Sequence, residues 1–392
     1  MSTGEHVVFL DHAATTPVRR EALEAMWPYL SGSFGNPSSR HRLGDEAARA
    51  LAWARERVAV VAGVRPGDVV FTSGGTEADN LAIKGVALAN PRGRHLVVSP
   101  IEHEAVLEAA SYLERIHGFT VSLVDVDDRG VVTPDALRRV VRPDTTLVSV
   151  QLANNEVGTV QPVADLARVA HEAGALMHTD AVQAAGWLAL SLDELGVDAL
   201  SLAGHKVGAP KGTGALLVRG RLPLEPVLHG GGQERGRRSG TENVAGAVAF
   251  ATALGLAEAE RSDVSSRVAS LTARLVARVT DEVPGAQLTG ASPGIGRLPG
   301  TASFVFPGTA GEAVLLELEQ DGVICSSGSA CAAGSDEPSH VLTAMGISPE
   351  IAQTAVRFTL GAETTAADIE TAADAVAGAV RTVRGIGGAV AP

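Results

Sequence analysis

Short β-rich runs alternate with alanine-rich stretches of helical period along most of this chain, and that alternation restricts the fold more than any other feature. Residues 69–72, 77–89, 95–99 and 104–117 read strand, helix, strand, helix. This is the order of βαβ units, whose strands pair in parallel and whose helices cover the sheet. Further candidate strands lie at 120–124, 146–152, 175–178, 199–202 and 215–218, with helices near 134–141 and 162–173. The sum is an α/β unit with a mostly parallel, helix-covered sheet of seven strands. From 244 to 279 one long helical pattern, rich in Ala, Leu and Val with Glu and Arg between, links this unit to a second. After the loop GASPGIGRLPG (290–300) come a strand (302–306), a helix (311–320), a short strand (323–324), a loop, a strand (355–360) and a helix (365–384), the order of a smaller α+β domain. The closing GIGGAVAP reads as a frayed tail.

A chain of 392 residues buries a core without disulfides or metal staples. Its 32 basic against 45 acidic residues give a net charge of −13, which argues against a general nucleic-acid surface. No eighteen-residue apolar run predicts a membrane span, and the N-terminus lacks the basic and apolar regions of a signal peptide. A cytoplasmic, reducing setting is expected, with both cysteines as free thiols.

Composition then narrows the chemistry. Lys84, Lys206 and Lys211 are the only lysines, and Cys325 and Cys331 the only cysteines, so amine chemistry has three candidates and thiol chemistry two. Lys84 lies within a helical pattern and reads as a solvated lysine; Lys211 follows a proline in a turn. Lys206 follows an apolar strand directly, at the kind of strand end where open α/β sheets bind ligands. A lysine desolvated there becomes a usable amine nucleophile, although position alone leaves an ordinary loop lysine equally open. The run FTSGGTE (71–77) passes from strand through two glycines into a helix. It reads either as an anion site of free N–H groups or as a plain helix start, with Thr76 as the cap and Asp79 as its partner three residues on. Asp180 ends a strand in HTDAVQ (178–183), where a carboxylate meets a protonated heterocyclic nitrogen or simply caps a turn. His103 ends the segment VVSPIEH. Neither a Walker motif nor a GxGxxG after the first strand is present.

Together these features favour pyridoxal phosphate (PLP), and at this point longer motifs carry a resemblance. LDHAATTPV (10–18), FGNPSSRHRLG (34–44), TSGGTEADNLAIKG (72–85), EHEAVL (102–107), ANNEVGT (153–159), HTDAVQAAG (178–186), GHKVGAPKGTGAL (204–216), GGGQERGRRSGTENV (230–244), SSGSAC (326–331) and VRFTLG (356–361) span nearly the whole chain. In this order they resemble the class V aminotransferase group of fold-type I PLP enzymes, and within it the cysteine desulfurases of the IscS/NifS type.

The resemblance implies a large PLP-binding domain at 13–258, and a small domain of 1–12 and 259–392 that carries the catalytic-cysteine loop. It implies that Lys206 holds the cofactor covalently, Asp180 pairs with the pyridinium nitrogen, Gln183 bonds the ring hydroxyl and His103 stacks on the ring. Gly75, Thr76 and His205 would serve the phosphate, with Thr241 contributed by the other subunit of a homodimer. Arg357, with Asn155 nearby, would grip the substrate carboxylate. The serine- and glycine-rich run around Cys331 has the composition of a mobile loop, whose thiol would take sulfur from L-cysteine as a persulfide, leave L-alanine and pass the sulfur to an acceptor protein. Its length resembles the group with an extended catalytic loop. Cys325, beside Val323 and Ile324, reads as a small buried hydrophobe. His103 is the candidate acid or base. The acceptor stays open between an iron-sulfur scaffold, a tRNA-thiolation protein and a DNA-sulfur-modification partner. Two departures stand out: Ala203 occupies the position of a usual phosphate-binding serine, and the tail is shorter than that with which related enzymes dock a scaffold. Another class V enzyme would share Lys206 and Asp180 without needing Cys331, and a non-enzymatic partner platform would need none of these residues.

Overall fold

A computed structural model describes residues 7–90, 92–220, 222–327 and 337–388. In chain order its elements are β1 (Val8–Phe9), α1 (Arg20–Ser31), α2 (Arg42–Val61), β2 (Val69–Thr72), α3 (Gly75–Asn80), a π turn (Leu81–Gly85) into α4 (Val86–Ala89), β3 (His95–Val98), α5 (Glu104–His117), β4 (Thr120–Leu123), α6 (Pro134–Val140), β5 (Thr145–Ser149), α7 (Val163–Glu172), β6 (Leu176–Asp180), α8 (Leu192–Leu195), β7 (Ala199–Ala203) and β8 (Gly214–Val218). Then follow α9 (Val244–Glu282), β9 (Gln287–Leu288), β10 (Thr301–Val305), α10 (Gly311–Gln320), β11 (Val323–Ile324), α11 (His340–Ala344), α12 (Pro349–Ala352), β12 (Ala355–Thr359) and α13 (Ala366–Gly388).

The main sheet has seven strands in the order β2-β8-β7-β6-β5-β3-β4, and only β8 runs against the others. Six strands therefore end on the same edge. Both faces are covered, so the strands read as near-continuous apolar runs rather than alternating ones. One face, with Val97, Val148, Met177 and Leu200, packs beneath α1, α2, α7 and α9. Leu96, Val98 and Leu147 on the other face meet α5, and Val70, Ala199, Leu216 and Val218 meet α3. The expected strands and helices all appear, with ends moved by a few residues. Helices α1 and α2 were not anticipated.

A smaller core gathers β10 and β12, which pair antiparallel, with β1, α10 and α13. Helix α9 is divided between the two cores: Val248, Phe250 and Leu254 belong to the large one, Val268, Leu275 and Val279 to the small one. That division supports a domain boundary near residue 258, which we adopt as a proposal.

Between β8 and α9 the segment QERGRRSG turns back across β2. Glu234 and Arg235 both have positive φ, +50° and +60°, a region uncommon for side-chain-bearing residues. A buried ion pair holds them there. The Arg55 guanidinium meets both oxygens of Glu234 at 2.7 Å, and donates to the Val69 carbonyl at 2.6 Å, while the Phe71 N–H donates to Glu234 at 3.1 Å. Removing one partner leaves the other charge buried and alone, so Glu234→Ala is expected to cost about 3–5 kcal/mol in a urea unfolding experiment. A loss below about 1 kcal/mol, the range of a surface pair, would show that the clamp is not holding the loop.

Candidate active site

The parallel strands deliver polar residues to one edge of the sheet. β2 leads into Gly75 and Thr76, β3 into His103, β5 into Asn155, β6 ends in Asp180 with Gln183 just beyond, and β7 leads into His205 and Lys206. These residues line one cleft of about 1210 Å³, closed on its far side by Arg357 from β12. Of the site residues expected in the described part of the chain, only Thr241 is elsewhere. It is exposed and lines a separate depression with Phe71, Glu234 and Arg238. Cys331 lies outside the described residues.

Lys206 sits in a single 3-10 turn after β7, and its Nζ donates to the carbonyls of Ala13 and, at 2.9 Å, Ala14. Among the three lysines it alone lines this cleft: Lys211 is exposed, and Lys84 rests over the Tyr112 ring at 4.3 Å. Asp180 is buried and accepts from the Val182 N–H at 2.8 Å. Burial raises its pKa, against the opposing effect of the Val182 N–H and of Lys206. His103 caps α5, accepting from the Ala105 N–H through Nδ1 at 3.0 Å. The proton of its neutral ring is therefore on Nε2. Burial and the two neighbouring lysines push His205 down to about 4, so it meets a ligand as a neutral ring.

At Gly75 the start of α3 approaches β6 and β7 so closely that a side chain's Cβ would lie 2.8 Å from Val182 Cγ2. The cap reading of Thr76 and Asp79 does not hold. Gly74 is the residue before the helix, no side chain caps it, and Asp79 turns inward to line the cleft.

Arg357 is buried in the middle of β12, where its Nη2 donates to Asp11 Oδ1 at 2.7 Å and its Nη1 to the Asn155 carbonyl at 3.0 Å. Further lining residues escaped the sequence reading: Glu104, Glu156 and His340. Ser339 Oγ donates to Glu156 Oε2 at 2.5 Å, and His340 Nε2 donates to the Glu102 carbonyl at 3.0 Å, which fixes the start of α11 to the cleft wall. Glu102 and Glu104 lie inside the quoted EHEAVL, so its two acids beside the histidine were the available signal.

Residues 8–371 match the family described as Aminotransferase class-V. The chain belongs to that family. A cysteine desulfurase IscS of Dictyoglomus turgidum is 44% identical over 380 residues, covering 97% of this chain and 96% of the relative. Among solved structures, a NifS-like protein superposes with a TM-score of 0.89 at 39% identity, over 96% of this chain and 100% of the other. SspA in complex with cysteine gives 0.79 at 37%, over 91% and 99%. The class V fold-type I architecture read from the motifs is thus the architecture of this chain.

Cys325 packs against the small core, and burial pushes its thiol up to about 12. In folded protein at pH 8 its alkylation is expected to be at least about 100-fold slower than in denaturant, read by peptide mass spectrometry, because only a trace is thiolate. Equal rates would contradict the burial.

Proposed function

We propose that this protein is a PLP-dependent cysteine desulfurase that converts L-cysteine to L-alanine, takes the sulfur onto Cys331 as a persulfide and delivers it to an acceptor protein. The observation that carries this reading is the meeting of Lys206, Asp180, His103 and Arg357 in one cleft, within a chain 44% identical to a named cysteine desulfurase.

The cleft fits the cofactor. Asp79 Oδ1 is buried without a donor and Asp180 lines the same cleft, so its floor offers an acceptor to a cationic ring nitrogen. Gly75 lets the first turn of α3 pack against Val182 at the cleft wall, and no side chain caps its N–H groups, which suits a phosphate there. Lys206 would bond the aldehyde, Asp180 meet the ring nitrogen, Gln183 the ring hydroxyl, His103 the ring face, and Gly75, Thr76 and His205 the phosphate, with Thr241 supplied by a second subunit. When bound, PLP provides the electron sink for a carbanion at the substrate α-carbon.

The protein's own groups do the rest. Arg357, pre-oriented by Asp11 and the Asn155 carbonyl, receives the substrate carboxylate beside Asn155. The Lys206 amine, held in the cleft beside Asp180, would serve as the base for the substrate α-proton. The Nε2–H of His103 is placed to protonate. The Cys331 thiolate attacks the substrate sulfur, so that an S–S bond forms as the carbon–sulfur bond breaks and the carbon product keeps the electron pair. Alanine follows after protonation. A homodimer working in the cytoplasm is the expected form; among the described residues no helix is long and apolar enough to cross a membrane.

Adding L-cysteine to the PLP-loaded protein should yield alanine and a 32-Da increment on the Cys331 peptide, roughly the mass of one sulfur atom as a persulfide requires. Formation of a keto acid with no such increment would instead favour another class V activity. Lys206→Ala should lower turnover by at least about a thousandfold, and borohydride should no longer fix cofactor to the protein. Retained turnover in that variant would remove Lys206 from the chemistry.

The missing hydroxyl at Ala203 gives a separate expectation. Ala203→Ser should tighten PLP binding by about fivefold, equivalent to about 1 kcal/mol for one added hydrogen bond, measured by equilibrium titration of apoprotein. An unchanged affinity would mean that other groups already satisfy the phosphate.

A further inference from the structure

Two side chains that line the cleft, His340 and Glu104, take no part in the steps above. His340 opens α11, and packing and hydrogen bonds set the place of that short helix. Val341, Leu342 and Met345 pack with Ile101, Val157 and Val305, and Ser339 Oγ, which bonds Glu156, also accepts from the Leu342 N–H at 3.2 Å. The His340 ring is fixed in turn, because its Nε2 donates to the Glu102 carbonyl at 3.0 Å. The segment bearing that carbonyl is itself anchored. Glu102 Oε1 accepts from the Gln151 N–H at 2.9 Å, and the Ile101 carbonyl accepts from Gln151 Nε2 at 2.5 Å and from Asn154 Nδ2 at 3.1 Å.

A carbonyl only accepts, so the His340 proton sits on Nε2 and the neutral ring offers Nδ1 as an acceptor. Glu104 Oε1 lies 3.8 Å from Nδ1, too far for a hydrogen bond, and among the described residues nothing else bonds that atom. Asp180 and Arg357 are buried, whereas Glu104 is exposed and His340 partly so, which makes these two the rim of the cleft. An L-cysteine whose carboxylate lies on Arg357 and whose amine faces Lys206 has one substituent left, the thiol-bearing methylene. A thiol that attacks its sulfur has to arrive from outside the buried floor, so the sulfur points to the rim. Of the two rim groups, His340 is the one held in place, by the Glu102 carbonyl.

We infer that His340 sets substrate specificity: its Nδ1 accepts a hydrogen bond from the thiol of bound L-cysteine, and so distinguishes cysteine from amino acids of similar size that lack a thiol. A thiol is a weak donor, so this contact supplies preference for cysteine, while the charge-assisted grip of Arg357 on the carboxylate supplies most of the affinity. The same bond keeps the sulfur turned outward, toward the side from which a nucleophile enters. This role presupposes the proposed desulfurase reading and adds to it the group that recognises the sulfur.

L-Alanine carries the same carboxylate and amine as L-cysteine but no sulfur, so the two together isolate the contact. Each is titrated into PLP-loaded Cys331→Ser protein, in which sulfur transfer is blocked, and binding is followed by the visible absorption of the cofactor. His340→Phe keeps the ring bulk and loses both nitrogens; His340→Gln keeps a donor for the Glu102 carbonyl and loses the acceptor at Nδ1. In both, the ratio of L-cysteine to L-alanine affinity should fall about fivefold, the size of one modest hydrogen bond, with L-alanine affinity held within about twofold. An unchanged ratio overturns the inference, whether neither ligand weakens or both weaken together as they would if α11 merely shifted. Should His340→Phe fail to fold, the ratio in His340→Gln decides alone. If neither ligand alters the cofactor absorption while His340 is in place, the functional reading falls and the inference with it.

Discussion

The in-register pairing of β6 with β7 is the contact on which the site depends. It sets Asp180 beside Ser201 and starts the turn that ends at Lys206. A slip of one residue would turn His178 and Asp180 toward the aliphatic cluster under α7 and α9 and leave both without polar partners. Placing His178, Asp180 and Ser201 on one face, and Met177, Leu200 and Leu202 on the other, therefore locks the register that brings an acid and an amine to the same edge.

Charge within the cleft is matched in layers. Arg357, the cation from the small core, is balanced by Asp11 from the N-terminal segment. The acids beneath Lys206 outnumber the cations facing them, and burial meets that excess by raising the pKa of Asp79, Glu102 and Asp180 instead of by adding arginines. Twenty-nine arginines are available in the chain, and those of the QERGRRSG turn serve the scaffold: Arg238 grips Glu77, and Arg235 donates to the Gly67 and Val69 carbonyls.

Strand positions, the long linking helix and the strand-end lysine were legible because each depends on local pattern. Helix α2 carried a signal that went unread: Ala47, Ala50, Leu51, Ala54 and Val58 recur at helical spacing and are all buried. Helix α1 was harder, since Leu23, Trp27 and Leu30 are exposed here and Pro28 lies inside it. For Thr76 and Asp79, spacing suggested a capping pair, but the acid lines a cleft whose floor comes from strands about a hundred residues along the chain, whose register no local pattern reports. The placement of Arg357 against Asp11, 346 residues apart, was likewise beyond any local reading.

β1 completes a two-stranded sheet with β11, and Ala13 and Ala14 supply the carbonyls that hold Lys206. The beginning of the chain must therefore wait for almost the last of it. During synthesis from the N-terminus, the seven-stranded sheet and the first half of α9 are complete well before β12 emerges. Until then the sheet edge lacks its arginine wall, and the N-terminal segment has no strand to join. The cleft is thus completed only after β12 has emerged, and a chain that stops short of β12 lacks the arginine wall of the pocket.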